Sequence, residues 1–97
     1  PEIIRGEKVT PKSDLYSLGV TMYLLFTEKL PFPVDNLQQL YYCHLNLMPE
    51  HPTTVNPKCP LALGDLIMKL LAKKPENRFR DCDELRIALK KVTQSRI

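Results

Sequence analysis

Nine prolines divide the 97-residue chain, and their positions constrain its fold more than any other feature of the sequence. Proline breaks the interior of a helix but is tolerated in first turns and in loops. The proline-free windows are residues 12–30, 34–48, 61–74 and 76–97. Each window has the apolar spacing of a helix, and no alternating strand pattern appears. The sequence therefore predicts an all-α fold with four main helices.

The first window predicts the most apolar of these helices. Ser13 is the expected N-cap, which places Asp14 at the positive end of the helix dipole. Apolar residues at 15–26 fall on nearly every face, so we expect this helix to be buried all round. It is predicted to stop near residues 27–29, because the residue before Pro31 is pushed out of helical geometry.

The other three windows predict amphipathic helices. The second begins with Asp35 or Asn36 as its cap, and the last begins at Asp81, with Glu84 three residues on as in a capping box. Residues 49–60 are predicted to be a long, irregular loop. The expected inner faces are Leu37, Leu40, Tyr41 and Leu45 in the second helix, Leu63, Leu66, Ile67, Leu70 and Leu71 in the third, and Leu85, Ala88, Leu89 and Val92 in the last.

Three amphipathic helices are too few to cover the first helix on all sides. We therefore expect the chain to be a piece of something larger, whose missing part packs on residues 14–28. The alternative is a small helical bundle with an unusually apolar central helix.

Composition excludes several classes of function. A net charge of +3 is short of the concentrated positive face of a nucleic-acid binder, and no apolar run approaches the ~18–20 residues that cross a membrane. Three cysteines without a CxxC pair favour a reducing, cytoplasmic setting over secretion. Because structural zinc ligands come in close pairs, we also predict no metal site among the scattered candidates. These candidates are Cys43, His44, His51, Cys59 and Cys82.

Four short motifs follow one another in a specific order. They are Pro-Glu at residues 1–2, Asp-Leu-Tyr-Ser-Leu-Gly at 14–19, Leu-Pro-Phe at 30–32 and Leu-Leu-Ala-Lys-Lys-Pro-Glu-Asn-Arg-Phe at 70–79. The succession resembles the C-terminal part of a eukaryotic-type protein kinase domain, from the end of its Ala-Pro-Glu motif to its last helix. Tyr16 stands where the family's Asp-x-Trp-Ser-x-Gly motif has tryptophan. This tyrosine and the Lys-x-Pro-Glu-Asn-Arg ending resemble the serine/threonine group, especially its bacterial members.

The resemblance implies roles for five residues. Glu2 and Arg78 match a largely buried ion pair that ties the activation segment to the loop before the last helix. Asp14 matches an aspartate that accepts backbone N–H bonds from the catalytic loop and so supports chemistry performed elsewhere. Ser17 and Gly19 match positions of close helix packing.

The second helix resembles the region with which the family docks substrates and partner proteins. Tyr41, Tyr42 and Met48 are candidates for an exposed anchor patch there. The alternative for this region is that Tyr41 packs in the core and that Tyr42 is incidental.

The resemblance makes residues 1–97 part of a kinase domain whose N-lobe and catalytic loop are absent. The sequence contains no GxGxxG, His-Arg-Asp or Asp-Phe-Gly motif, so we assign no catalytic residue and no cofactor to this chain. An intact serine/threonine kinase would bring ATP and magnesium. The expected partners are the missing kinase portion and protein substrates or regulators, with no nucleic acid and no membrane. The alternative is a pseudokinase or a non-catalytic helical interaction module.

Overall fold

A computed structural model describes residues 11–95 of the chain, with side chains as far as Val92. Within these residues every regular element is helical, which confirms the all-α fold class. The α-helices are α1 (Pro11–Thr27), α2 (Leu37–Asn46), α3 (Pro52–Val55), α4 (Leu61–Leu70) and α5 (Cys82–Ser95), and a 3-10 turn spans Pro75–Asn77.

Helix α1 begins earlier than the sequence predicts and ends where it predicts. Pro11 is its first residue, a position that suits the fixed φ of proline, so Ser13 lies inside the first turn and is not the cap. At the other end, the Thr27 hydroxyl donates to the carbonyl of Tyr23 at 2.7 Å. Glu28 then adopts a φ of 61°, a left-handed conformation that stops the helix.

The left-handed residue predicts a stabilising substitution. Glu28→Gly is expected to raise the free energy of unfolding by up to about 1 kcal/mol, because glycine adopts positive φ without the steric penalty of a Cβ. Urea denaturation of the chain measures this change. Glu76→Gly, at an exposed position in the 3-10 turn, is the matched control and is expected to be neutral or destabilising. A loss of stability in Glu28→Gly would contradict the prediction.

Helix α4 is shorter than its proline-free window. It ends at Leu70, and the chain runs on to Lys74, whose extended conformation suits the residue before Pro75. Leaving the helix frees the carbonyls of Ala72 and Lys73 for bonds to a side chain described below.

The predicted irregular loop at 49–60 contains a short helix, so this expectation was wrong in part. Pro52 occupies the first turn of α3. His51 caps the helix, because its Nδ1 accepts from the backbone N–H of Thr53 at 3.2 Å. Its Nε2 lies 2.8 Å from a carboxylate oxygen of Asp65, which ties α3 to α4. A histidine cap is not among the preferred cap residues, and the sequence pattern therefore did not show it.

Helix α5 begins just after the predicted Asp81. The Asp81 carboxylate accepts from the backbone N–H of Glu84 at 2.9 Å, and this bond lowers the pKa of Asp81. The Glu84 carboxylate reaches back to the N–H of Arg80 at 3.1 Å, one residue before the expected partner. Both side-chain hydrogen bonds of a capping box are thus present, but the Glu84 carboxylate bonds to the N–H of Arg80 and not to that of Asp81.

The core lies between α1, α4 and α5. Ile67 and Leu70 of α4 are completely buried, and Leu85 of α5 packs in the same cluster as Leu15 of α1. The predicted inner stripe of α4 is buried throughout, as Leu63, Leu66, Ile67, Leu70 and Leu71. Burying a side chain of this size is worth about 1.5–3 kcal/mol, so α4 is the central element of the fold.

Two expectations about burial need correction. Helix α1 is not buried all round: large apolar side chains on its outer side are exposed, namely Leu18, Leu24, Leu25 and Phe26. Helix α2 contributes no fully buried residue, and its predicted inner face is only partly covered: Leu40 and Leu45 are half-buried, whereas Leu37 and Tyr41 are exposed. Both helices therefore have more apolar side chains than the described residues bury.

Candidate functional site

Arg78 is the most deeply buried charged residue in the part of the chain that the structure describes, with 3% of its surface exposed. Its Nε donates to the carbonyl of Ala72 at 2.8 Å, and its two terminal nitrogens donate to the carbonyls of Lys12 at 2.9 Å and Lys73 at 3.2 Å. The planar guanidinium also lies over the Tyr16 ring, 4.8 Å from its centroid. One side chain thereby joins the loop after α4 to the first turn of α1.

The kinase resemblance predicts Glu2 as the ion-pair partner of Arg78. Glu2 lies outside the described residues, so the ion pair between them stays a prediction. Burial of a guanidinium is costly unless its N–H groups have hydrogen-bond acceptors. Here three carbonyls accept one hydrogen bond each, from Nε and from the two terminal nitrogens.

Helix α1 carries two of the predicted site residues with polar side chains, and both side chains face away from the core. Asp14 and Ser17 are both exposed, and the Ser17 hydroxyl donates to the carbonyl of Ser13 at 3.3 Å within the helix. Asp14 precedes Leu18 and Leu25 by four and eleven residues, which places all three on one side of α1. Their shared side is the uncovered one.

Gly19 lies on the opposite, packed side of α1. A Cβ built on it would lie 2.8 Å from the Cβ of Leu70 and 3.3 Å from the Cγ of Leu71. The backbones of α1 and α4 therefore approach at a distance that only glycine permits.

A polar and aromatic cluster links α2 to α1. The Tyr16 hydroxyl lies 2.7 Å from Nδ1 of His44, and Phe32 packs edge-on against the same imidazole at 5.1 Å between ring centroids. The Lys73 ammonium donates to the carbonyl of Cys43 at 3.1 Å and lies 4.9 Å from the Phe32 ring centroid. The cluster joins four segments that are distant in sequence.

Burial changes the acidity of the two basic groups in this cluster. It lowers the pKa of Lys73 to about 8, with a further lowering from the nearby charge of Arg78. It also lowers the pKa of His44, and the charge of Lys73 adds to this effect. His44 is therefore neutral at pH 7, whereas Lys73 is mostly protonated.

The three proposed docking residues all lie at the surface. Tyr41, Tyr42 and Met48 are exposed by 44%, 58% and 48%, so Tyr41 does not pack in the core of the described residues. Neighbouring Leu37 and Leu47 are exposed as well, which extends the apolar surface along α2.

The scattered cysteines and histidines do not meet. Cys43 is half-buried, Cys59 is buried and Cys82 is exposed, and all three are free thiols. Among the described residues, no group of three potential metal ligands comes together. Residues 11–95 also contain no helix long and apolar enough to cross a bilayer.

The succession of motifs and the buried Arg78 agree with a comparison against known families. The sequence model of the protein kinase domain matches residues 1–92. This chain belongs to the protein kinase domain family.

Its curated relatives include bacterial kinases. The chain is 35% identical over 95 residues to the serine/threonine-protein kinase PksC of Streptomyces coelicolor, a match that covers 98% of this chain and 17% of PksC. It is 36% identical over 92 residues to the serine/threonine-protein kinase PknB of Mycobacterium tuberculosis, covering 95% of this chain and 15% of PknB. A hybrid signal transduction histidine kinase of Dictyostelium discoideum is 43% identical over 72 residues, covering 74% of this chain and 2% of that protein.

The kinase resemblance did not reveal the His44 cluster. In the sequence, Cys43 and His44 were only scattered candidates for metal ligands, and Lys73 was only part of the Leu-Leu-Ala-Lys-Lys-Pro-Glu-Asn-Arg-Phe motif. One signal was available: Tyr16 replaces the family's tryptophan, and a buried tyrosine hydroxyl needs a hydrogen-bond partner. The sequence did not show which residue supplies it, because His44 lies 28 positions away.

Proposed function

We propose that this chain is the distal scaffold of the large lobe in a serine/threonine protein kinase. In the complete kinase, the γ-phosphate of ATP would be transferred, with magnesium, to serine or threonine of protein substrates. The buried bridge made by Arg78 carries this proposal. It fixes the loop before α5 to the first turn of α1. In the sequence, α1 is the helix that follows the Pro-Glu segment.

The uncovered side of α1 supports the scaffold role. Leu18 and Leu25 are exposed by 40% and 69%, which leaves a continuous apolar side of this helix uncovered by the described residues. We propose that the catalytic-loop portion of the kinase covers this side. Asp14, on the same side, is an acceptor-only carboxylate that would receive backbone N–H groups of that loop.

The catalytic groups would come from the rest of the kinase domain. Phosphoryl transfer requires a glycine-rich cover for the nucleotide, a lysine, a catalytic aspartate and metal-binding side chains. The motifs that carry them are absent from these 97 residues. This chain would instead supply rigidity to the catalytic loop and, through the exposed Tyr41, Tyr42 and Met48, a surface for docking protein substrates.

A chimera tests the scaffold proposal. The matching segment of PknB is replaced by this chain, and phosphorylation of a protein substrate is measured with labelled ATP, followed by phosphoamino-acid analysis. We expect a folded chimera that forms phosphoserine or phosphothreonine. A chimera that folds and binds Mg–ATP but transfers no phosphate would favour the non-catalytic alternative, and one that fails to bind Mg–ATP would overturn the proposal.

The same chimera tests the role of Asp14. Asp14→Asn is expected to lower kcat at least tenfold while leaving the melting temperature nearly unchanged, because a neutral amide is a weaker acceptor for the backbone N–H groups of the loop. Asp35→Asn, another exposed aspartate, is the control and should leave kcat unchanged. Equal activity of the two variants would contradict the assignment.

A further inference from the structure

Within the part of the chain that the structure describes, helix α2 is held to the rest of the fold by few contacts. It buries none of its residues, so the hydrophobic term that fixes α4 is largely missing here. Its polar links to distant segments are the pair between Tyr16 and His44 and the bond from Lys73 to the carbonyl of Cys43. Phe32 adds an edge-on contact to the His44 ring. The imidazole therefore takes part in two of these three links.

The hydrogen bond from Tyr16 depends on the protonation of His44. A neutral imidazole with its proton on Nε2 accepts at Nδ1 from the Tyr16 hydroxyl at 2.7 Å. When Nδ1 also carries a proton, the hydroxyl must turn around and accept, and its own proton then loses this acceptor. Protonation thus replaces a satisfied bond with a rearranged one in a half-buried site.

Charges around the imidazole oppose its protonation. Lys73 from the loop after α4 contributes an ammonium, and the guanidinium of Arg78 lies on the Tyr16 ring. The remaining titratable neighbours are the phenol of Tyr16 and the thiol of Cys43, next to His44 in the chain. Within residues 11–92, no carboxylate forms an ion pair or hydrogen bond with His44 or Lys73. The Lys73 ammonium therefore repels a positive charge on the imidazole.

We propose that the neutral His44 imidazole is a latch for α2, and that protonation of this ring releases the helix from α1. The docked helix favours the neutral ring, so the lowered pKa of His44 acts in the expected direction. A depressed histidine pKa contributes full stability above the unfolded value of about 6.5 and loses it as the pH falls toward the folded value. The latch is therefore closed at pH 7.5 and opens in mild acid.

The proposal has a direct measurement in the whole chain. Hydrogen exchange of the α2 amides is followed by mass spectrometry at pH 7.5 and 5.5, with rates corrected for the intrinsic pH dependence of exchange. We expect the protection factors of residues 37–46 to fall severalfold at pH 5.5, by at most about tenfold per pH unit because one proton is taken up. Amides of α4, Leu61–Leu70, are the internal reference and should keep their protection. Unchanged protection of α2, or an equal loss in α4, would overturn the proposal.

Two variants separate the latch from a general acid sensitivity. His44→Gln keeps an amide that bonds to Tyr16 but does not titrate, so protection of α2 should become independent of pH. His51→Gln removes the other histidine of the chain and should leave the pH dependence of α2 intact. If His44→Gln retains the full pH dependence, or His51→Gln abolishes it, the proposal fails.

Replacement of Lys73, the cation next to His44, is a third test of the latch. Lys73→Met removes both the repelling charge and the bond to the carbonyl of Cys43. Protection of α2 should then be weaker at every pH, and its pH-dependent part should shrink, because the pKa of His44 moves back toward its ordinary value. A larger pH-dependent part in this variant would contradict the latch.

Discussion

Replacing Arg78 with alanine is expected to lower the free energy of unfolding by about 3–5 kcal/mol, the usual cost of breaking a buried charged network. The change removes three hydrogen bonds, to the carbonyls of Lys12, Ala72 and Lys73. Each carbonyl left without its donor in a buried position costs about 1–3 kcal/mol. The stacking of the guanidinium on Tyr16 is lost as well. Urea denaturation of the chain, followed by far-ultraviolet circular dichroism, measures the loss.

Arg80 supplies the matched control two residues away. Its side chain is exposed, and its ion pair with Asp81 spans 3.4 Å in solvent. Pairs of this kind contribute about 0–1 kcal/mol, so Arg80→Ala should change the unfolding midpoint only slightly. Equal, small losses in the two variants would contradict the structural role of Arg78.

A lysine at position 78 distinguishes charge from geometry. Arg78→Lys keeps the positive charge, but one ammonium group cannot reproduce a planar fork that reaches carbonyls on two sides. We expect a stability between those of the parent chain and Arg78→Ala. Full stability of the lysine variant would mean that charge alone accounts for the burial of this side chain.

The position of Arg78 also shows how far the sequence could predict this fold. Spacing alone makes it an ordinary surface arginine, and only the order of four motifs indicated a buried role. Helix α4 was predictable without the family pattern, because four leucines and one isoleucine at helical spacing define one buried stripe. Strong periodicity thus predicted α4 directly, whereas a lone charged residue required the family pattern.

Two local features were beyond the reach of sequence patterns. The short helix α3 is capped by His51, whose Nδ1 accepts from Thr53 while its Nε2 lies against Asp65 of α4. After α4 ends at Leu70, Arg78 donates to two of the carbonyls that follow. In each case a tertiary contact accompanies a local boundary, and a window of neighbouring residues does not contain that contact.

The sequence identified the apolar residues of α1 and α2 but did not show which of them are buried. The pattern marked Leu18 and Leu25 as apolar but could not show that the described residues leave them exposed. Likewise, Tyr41 had the spacing of an inner-face residue and yet lies at the surface. Periodicity identifies the apolar side of a helix, and it does not identify what packs on that side.

The close approach of α1 and α4 at Gly19 leads to the second large effect. Gly19→Ala would place a methyl group 2.8 Å from the Cβ of Leu70. A Cβ is fixed by the backbone, so no rotation of the leucine side chain relieves this contact, and one of the two helices must shift. Overpacking of this kind costs about 1–3 kcal/mol.

The helix propensity of alanine works against this cost. Alanine is favoured over glycine in a helix interior by about 1 kcal/mol, so an uncrowded Gly→Ala change would stabilise the chain. We expect the clash to win, with a net loss of up to about 2 kcal/mol for Gly19→Ala and a larger loss for Gly19→Val, whose branched side chain also meets Leu71. The graded loss distinguishes steric crowding from a backbone effect, since propensity alone predicts a gain for alanine.

Ser17→Ala is the control on the same helix. Ser17 is exposed, and its hydroxyl bonds only to the carbonyl of Ser13 one turn earlier. Its replacement should change stability by less than about 0.5 kcal/mol. Chemical denaturation of the three variants gives the order Ser17→Ala, Gly19→Ala, Gly19→Val from most to least stable. If Gly19→Ala is instead more stable than the parent chain, α1 and α4 do not pack at the distance that the structure shows, and the position of α1 over the central helix would have to be revised.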